Sequence, residues 1–358
     1  MHRRAAQLPV YDPATKRLEN IPLCAGGNHA NFTFDKDNTL WLSGDTQVVS
    51  WVNTRIWDET HDPKKASGWC PMVLDTSGDG KIDPDRTKWV QPGDELNGVR
   101  GEEGAARNDE QVLGITKTQP VPGKDTRLTR YLYGMAVAKD GSIWESAYIP
   151  YVPSGLIHVI PGKNPPETCK TEYYEPPLLK NGKYAAFGVR GVGIDSDGIA
   201  WGAFSSGQVG AFDRRKCKVL NGPTATGQQC PEGWTFYDLP SPKIGDTAST
   251  SDMAYSEWDD MFGVMGLGKE THFFPMTNSD SITALRKGQS KFVNFRVPYP
   301  MGFYTRGLDF RIDDPKGGWK AKAMYATTAT AAPWHGEDGE TTLTKEVIFQ
   351  MRGNPLEH

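Results

Sequence analysis

The sequence predicts an all-β chain folded as a β-propeller of about five to seven four-stranded blades. Three observations carry that expectation. A short pattern recurs as Asp37-Asn38-Thr39-Leu40-Trp41, Asp140-Gly141-Ser142-Ile143-Trp144 and Asp197-Gly198-Ile199-Ala200-Trp201, with the tryptophan four residues after the aspartate each time. An alternating apolar segment precedes each copy: Phe32-Thr33-Phe34, Met135-Ala136-Val137 and Val192-Gly193-Ile194. A period-2 run, a tight turn and a second apolar run make a β-hairpin, and its return along the chain marks a repeat with several strands per unit. Finally, 39 glycines and 26 prolines in 358 residues suit many turns without reaching the low-complexity range, and 11 tryptophans suit packing between blades.

Along the chain, residues 7–23 read as two outer strands, the second half of a blade without its first half. Blade cores follow at 29–57, 131–176, 188–240, 245–300 and 304–350. A long loop insertion rich in Asp, Gly, Pro and Lys occupies about 58–128. The leading half-blade either closes the ring against the C-terminal strands or belongs to a ring that starts upstream. Helices are expected to be few, with 257–267 the best place for a short one. The propeller is read as a single domain over 1–355, and Leu356-Glu357-His358 as a vector-derived scar.

A net charge of −4 gives no reason to expect nucleic acid or an anionic membrane as partner. No apolar stretch approaches the roughly 18 residues that span a bilayer. Five cysteines are present: Cys24, Cys70, Cys169, Cys217 and Cys230. The last two flank a Gly/Pro/Thr/Gln-rich loop and are expected to form a disulfide. That pairing points to a periplasmic or secreted monomer whose leader is absent from this sequence.

Asp75-Thr76-Ser77-Gly78-Asp79-Gly80-Lys81-Ile82-Asp83 follows the first nine positions of a calcium loop. Asp75, Ser77, Asp79, Lys81 (through its carbonyl) and Asp83 are the candidate ligands of a structural Ca²⁺, and Gly80 permits the sharp turn. Position 12, normally a bidentate Glu, is Arg86, so Asp85 or another loop has to complete the set. A plain Asp/Gly turn is the competing reading.

A polar residue stands just before several inner strands, as Tyr133-Gly134, Arg190-Gly191, Arg306-Gly307 and His29-Ala30. In a propeller these side chains face the mouth of the central channel. Asp45, Glu145, His335 and Glu337 follow the hairpins or occupy similar loops. An imidazole and carboxylates around one mouth suit a divalent cation such as Mg²⁺ or acid–base work, and the arginines suit a carboxylate or enolate oxygen. His158, within Leu156-Ile157-His158-Val159-Ile160, reads as structural, and His61 and His272 as solvent or packing residues. Nucleophile elbow, phosphate loop, dinucleotide fingerprint and His-Glu-x-x-His are all missing, which lowers serine hydrolase, kinase and nicotinamide dehydrogenase readings.

The run Gly193-Ile194-Asp195-Ser196-Asp197-Gly198-Ile199-Ala200-Trp201 with Gly207-Gln208-Val209-Gly210-Ala211-Phe212-Asp213 resembles the streptogramin (virginiamycin B) lyase type of propeller. Cys217 to Gly227 and Val297-Pro298-Tyr299-Pro300-Met301-Gly302-Phe303-Tyr304 look like a group of exported bacterial lyase-like propellers. The resemblance implies elimination from a cyclic ester with Mg²⁺ stabilising the enolate, His29 matching the family's His and Asp45 standing near its Glu. Here the acid is Asp, the spacing is two longer and Ala30 replaces a Gly. The expected function is therefore metal-assisted elimination or hydrolysis of an ester- or lactone-type small-molecule or peptide-like substrate, with His29, Asp45 and His335 catalytic and Tyr133, Arg190, Arg306, Glu145 and Glu337 binding. The alternative is a non-catalytic exported propeller that binds a peptide or glycan and is stabilised by calcium.

Overall fold

A computed structural model describes residues 6–23, 25–27, 29–43, 48–90, 120–128, 132–147, 153–245, 249–297, 303–311, 323–328 and 345–349. The fold is all-β and of the propeller class, built from antiparallel meanders that follow chain order. β1 (Ala6–Asp12) and β2 (Arg17–Leu23) form the leading hairpin. β3 (His29–Phe32), β4 (Thr39–Ser43), β5 (Val48–Asn53) and β6 (Ser67–Pro71) make the first four-stranded sheet. The insertion follows, and its described part also carries structure. α1 (Thr54–Thr60) and α2 (Pro63–Ala66) precede β6, while β7 (Val73–Leu74) and β8 (Thr126–Arg127) join the outer edge of the next meander. That meander is β9 (Leu132–Val137), β10 (Ile143–Ala147), β11 (Leu156–Ile160) and β12 (Lys170–Tyr174). β13 (Val189–Ile194), β14 (Ala200–Phe204), β15 (Gln208–Phe212) and β16 (Trp234–Asp238) form a third. β17 (Trp258–Asp260), β18 (Thr271–Pro275), β19 (Ser281–Arg286) and β20 (Phe292–Arg296) form a fourth, and β21 (Leu308–Arg311), β22 (Ala323–Thr328) and β23 (Lys345–Phe349) a three-stranded fifth.

The hairpin repeat folds as its residues dictate. Asn38, Gly141 and Gly198 have φ of 49°, 83° and 79°, the left-handed turn conformation that Gly and Asn tolerate. The tryptophan that follows each turn is buried: Trp41, Trp144 and Trp201 are 4%, 2% and 8% exposed. The helix expected over 257–267 is absent. Trp258 pairs with Phe273 in a strand, and the Asp260 carboxylate accepts the Val264 and Met265 N–H groups to hold a turn. The two described α-helices sit instead where Asn53 and Asp62 cap them, Asn53 accepting from Ile56 N and Asp62 from Lys64 N, with Pro63 opening α2.

The chain divides into two compact units, Met1–Val189 with Asp213–Gly233, and Arg190–Phe212 with Trp234–His358. In the first, Trp41, Val49, Leu132, Ile143 and Ile157 share one apolar core with Cys70 and Cys169, which are disulfide-bonded. Cys217 and Cys230 form the expected second disulfide. Their loop is a strap stitched to the same unit. Gln229 Nε2 donates to Tyr173 O, and Gly222 N and Asn221 Nδ2 donate to Asp75 O and Oδ2. Arg214, in the turn just ahead of the strap, donates from Nε and Nη2 to the two Glu172 oxygens at 2.6 and 2.5 Å. His158 Nδ1 (2.9 Å) and the Tyr174 hydroxyl (2.8 Å) complete the shell of that buried carboxylate. No helix among the described residues is long and apolar enough to cross a membrane.

Burial alone would raise the Glu172 carboxyl, but Arg214 and His158 outweigh it and hold it down to about 2. Stability from this group is therefore complete above its ordinary value of 4.5 and is lost as pH falls toward 2. Arg214→Ala is expected to cost about 2–4 kcal/mol near neutral pH, because the other charge stays buried. Urea unfolding checks it: the gap to wild type narrows as the acid is protonated below its ordinary range.

Candidate functional site

The residues singled out before inner strands are found at those strand starts, and within each unit they meet. In the first unit the His29 and Tyr133 rings lie edge to face at 4.6 Å. Ser43 Oγ donates to Tyr133 O at 2.5 Å and Asn31 Nδ2 to Met135 O at 3.2 Å, tying β3 and β4 to β9. Burial lowers the His29 pKa, so the imidazole is neutral at neutral pH and able to accept a proton.

In the second unit the guanidinium carbons of Arg190 and Arg306 lie 4.6 and 5.4 Å from the centre of one ring, Tyr255. Tyr304 meets that ring edge-on at 5.8 Å. The geometry depends on glycine. A Cβ at Gly191 would stand 2.4 Å from the Ser256 Cα, and one at Gly193 would fall on the Glu257 carboxylate. Without side chains there, the segment 255–257 lies directly against β13, and Gly191 N donates to Tyr255 O at 3.2 Å. The negative face of the phenol ring gathers the two cations, and Arg306 is exposed. Such a pair suits a carboxylate or other oxyanion. Tyr255 was not foreseen. Ser256 follows it instead of Gly, and the stretch around it lacks a clean period-2 pattern, although its alignment ahead of β17 was a usable signal.

Other expected site residues are placed differently. Asp45, His335 and Glu337 lie outside the described residues, as does Cys24. Glu145 is not a rim ligand. It is fully buried in β10 opposite Met135 and Ile157, between Ile143 and Ala147 of the apolar core, and neither carboxylate oxygen has a hydrogen-bond partner. The alternation that buries Trp144 on one face sends Glu145 into the other. Burial pushes its carboxyl well above the usual range, so it is held as the neutral acid.

The loop at 75–83 closes through N–H donors. Asp75 accepts from Gly78 N, Gly80 N, Ser77 Oγ and Asn221 Nδ2; Asp79 accepts from Lys81 N, and Asp83 from Asp85 N. Asp125, from the far end of the insertion, accepts from Ser77 N and Asp83 N. Among the described residues no group of three or more His, Cys, Asp or Glu side chains could hold a metal ion as placed.

His158 and His272 are the most elaborately bound histidines described. His158 stacks on Trp144 at 4.3 Å. His272 stacks on Trp201 at 3.8 Å and bonds Glu257 Oε1 through Nδ1 at 2.8 Å.

No protein-family model and no curated protein matches this chain. Solved structures similar to it include a Bacteroides caccae protein of unknown function (9% identity, 89% of this chain and 78% of that one, TM-score 0.41). They also include YCF48 from Cyanidioschyzon merolae (11%, 86% and 66%, 0.40) and apo AztD from Citrobacter koseri (11%, 94% and 76%, 0.42). The chain thus spans just under two thirds of YCF48. Likeness at this level identifies neither a family nor an activity.

Glu145→Gln isolates the cost of the buried acid. A carboxyl with a raised pKa stabilises fully below its ordinary value, and that contribution is lost as pH rises toward the folded value. The wild type is therefore expected to lose about 1.4 kcal/mol per pH unit relative to the variant while the folded acid keeps its proton. Melting curves taken upward from pH 4.5, the group's ordinary value, read that divergence; parallel curves would contradict it.

Proposed function

We propose that this protein binds a small carboxylate- or ester-bearing molecule on Arg190 and Arg306 and turns it over by lyase-like elimination or by hydrolysis. The observation that supports this most is the pair of guanidinium groups on the single Tyr255 ring. In elimination, a base removes the proton α to a carbonyl on the alcohol side of the ester, a guanidinium holds the enolate oxygen of that carbonyl, and a C=C bond forms as the β C–O bond breaks and the ester's acyl part leaves as a carboxylate. In hydrolysis the same cations hold the tetrahedral oxyanion. His29, in the other unit, is a separate candidate base, supported by its neutral imidazole. Asp45, His335 and a Mg²⁺ ion remain proposals from the family resemblance.

The test is a panel of lactones, esters and cyclic depsipeptides with and without Mg²⁺. Arg190→Ala and Arg306→Ala are each expected to raise KM about tenfold, equivalent to ~1.4 kcal/mol. Turnover indifferent to both arginines would overturn the proposal. Ligand binding that needs both arginines but yields no product would favour the non-catalytic binding propeller.

The two disulfides support an exported location. We also propose a structural Ca²⁺ for the 75–83 loop, whose carboxylates would have to turn from their N–H donors to reach it. Calcium at a hundred times its Kd would then add about 2.7 kcal/mol to stability. The expected readout is a melting temperature that rises with calcium, falls with chelator and loses this response in Asp79→Ala. An unchanged curve leaves the loop as a self-closed turn.

A further inference from the structure

The second unit contains an acid cluster that the proposed binding site does not use. Glu257 stands just before β17 and Asp259 in its middle, Glu270 just before β18 and His272 within it, and Asp195 in the turn after β13. Their roles differ. Asp195 is engaged: Oδ1 accepts from Asp197 N and Ile199 N, and Oδ2 from Trp201 Nε1. Glu270 accepts from Ser196 N and Ser196 Oγ. Glu257 spends one oxygen on His272 Nδ1, and its Oε2 has no partner. Asp259 Oδ1 lies 3.8 Å from the same nitrogen, and a proton on Asp259 is shared toward the Glu270 carboxylate. The Glu257 and Asp259 side chains are 0% and 2% exposed. Lys287 is occupied at the surface with Asp197 at 2.6 Å, and Asp260 is held by Val264 N and Met265 N. One imidazole thus has four carboxyl groups around it, and the Glu257 and Asp259 side chains among them are closed to solvent.

We propose that this cluster is a proton-operated lock: Glu257 and Asp259 seat β17 against β18 only while both carry protons, and their ionisation releases that edge. The strand they hold is the weakest in its sheet, since β17 pairs through only three residues, Trp258, Asp259 and Asp260. Losing both protons would place two adjacent negative charges among Asp195 and Glu270. Burial first, then the Glu257 charge, pushes Asp259 up to about 10, and burial then Asp195 pushes Glu257 upward. Burial holds His272 at about 4, so it takes up no proton to compensate. Once the edge opens, both acids return to ordinary values and ionise. The sign follows: raised carboxyls stabilise at low pH, and that stability is lost as pH rises.

Hydrogen exchange of the intact protein between pH 6 and 9, corrected for intrinsic rates, tests the lock in peptides covering 255–262 and 270–276. The opening equilibrium is expected to rise about tenfold per pH unit for each proton released. Glu257→Gln and Asp259→Asn should each remove one proton's worth of that slope, and Glu145→Gln, in the other unit, none of it. A flat wild-type profile, or a slope unchanged in whichever variant folds, overturns the lock. Suppression of the alkaline rise by millimolar Ca²⁺ or Mg²⁺ also overturns it, because the acids would then be holding a cation.

Discussion

The packing of the hairpin indoles is the constraint on which the rest of this structure depends. A tryptophan buries a large apolar surface but carries an N–H that needs an acceptor when water is excluded. At Trp201 the acceptor is Asp195, the residue whose other oxygen shapes the turn preceding the indole. Turn and indole are therefore fixed by one carboxylate. The ring face then meets His272 of β18, so the repeat joins successive sheets. Trp144 instead stacks on His158 within its own meander. In both places a flat polar ring covers the indole, and its nitrogen draws a carboxylate into the interior.

What those carboxylates become is decided by whether a cation follows them. Glu172 receives the forked Arg214 guanidinium, together with a phenol hydroxyl, and is stable as an anion. Glu257 receives only an imidazole, and Glu145 receives no partner. The same side chain at similar depth thus has its pKa lowered in one setting and raised in two others. Desolvation is common to all three; the difference is the compensating charge. Arg214, in the turn just ahead of the disulfide-closed strap, is the residue that makes this buried charge tolerable.

Features written in local pattern were legible in the sequence. The Asp-to-Trp offset located the hairpins, and the meanders follow from them in chain order, with the two-stranded start where a half-blade was read. The short loop between Cys217 and Cys230 indicated its own closure. The Cys70–Cys169 bridge was not legible, because it joins residues 99 apart that only the packing of neighbouring sheets brings together. β7 and β8 escaped for a similar reason: two-residue strands have no periodicity and exist by addition to an edge. Arg190 and Arg306 were singled out by their position before inner strands, but the ring that gathers them was not. Glu145 was misplaced because adjacency to Trp144 says nothing about which face of the strand is dry. His158 was read as structural and His272 as a solvent or packing residue, and their carboxylate partners lie 14 and 15 residues away in sequence, beyond the reach of a local motif.

The charge layout of the second unit bears directly on the anion-binding reading. Tyr255, Glu257 and Asp259 alternate along one extended segment, and β13 approaches that segment closely enough to demand glycine at 191 and 193. Ionised acids two and four residues beyond Tyr255 would place negative charge close behind the guanidinium groups and weaken their field toward an incoming carboxylate. Held as neutral acids in the interior, Glu257 and Asp259 satisfy the packing of the sheet without that competition. The burial that raises the pKa of both acids and the close approach of β13 to Tyr255 are then two consequences of one arrangement: a segment packed against β13 with no room for side chains at 191 and 193.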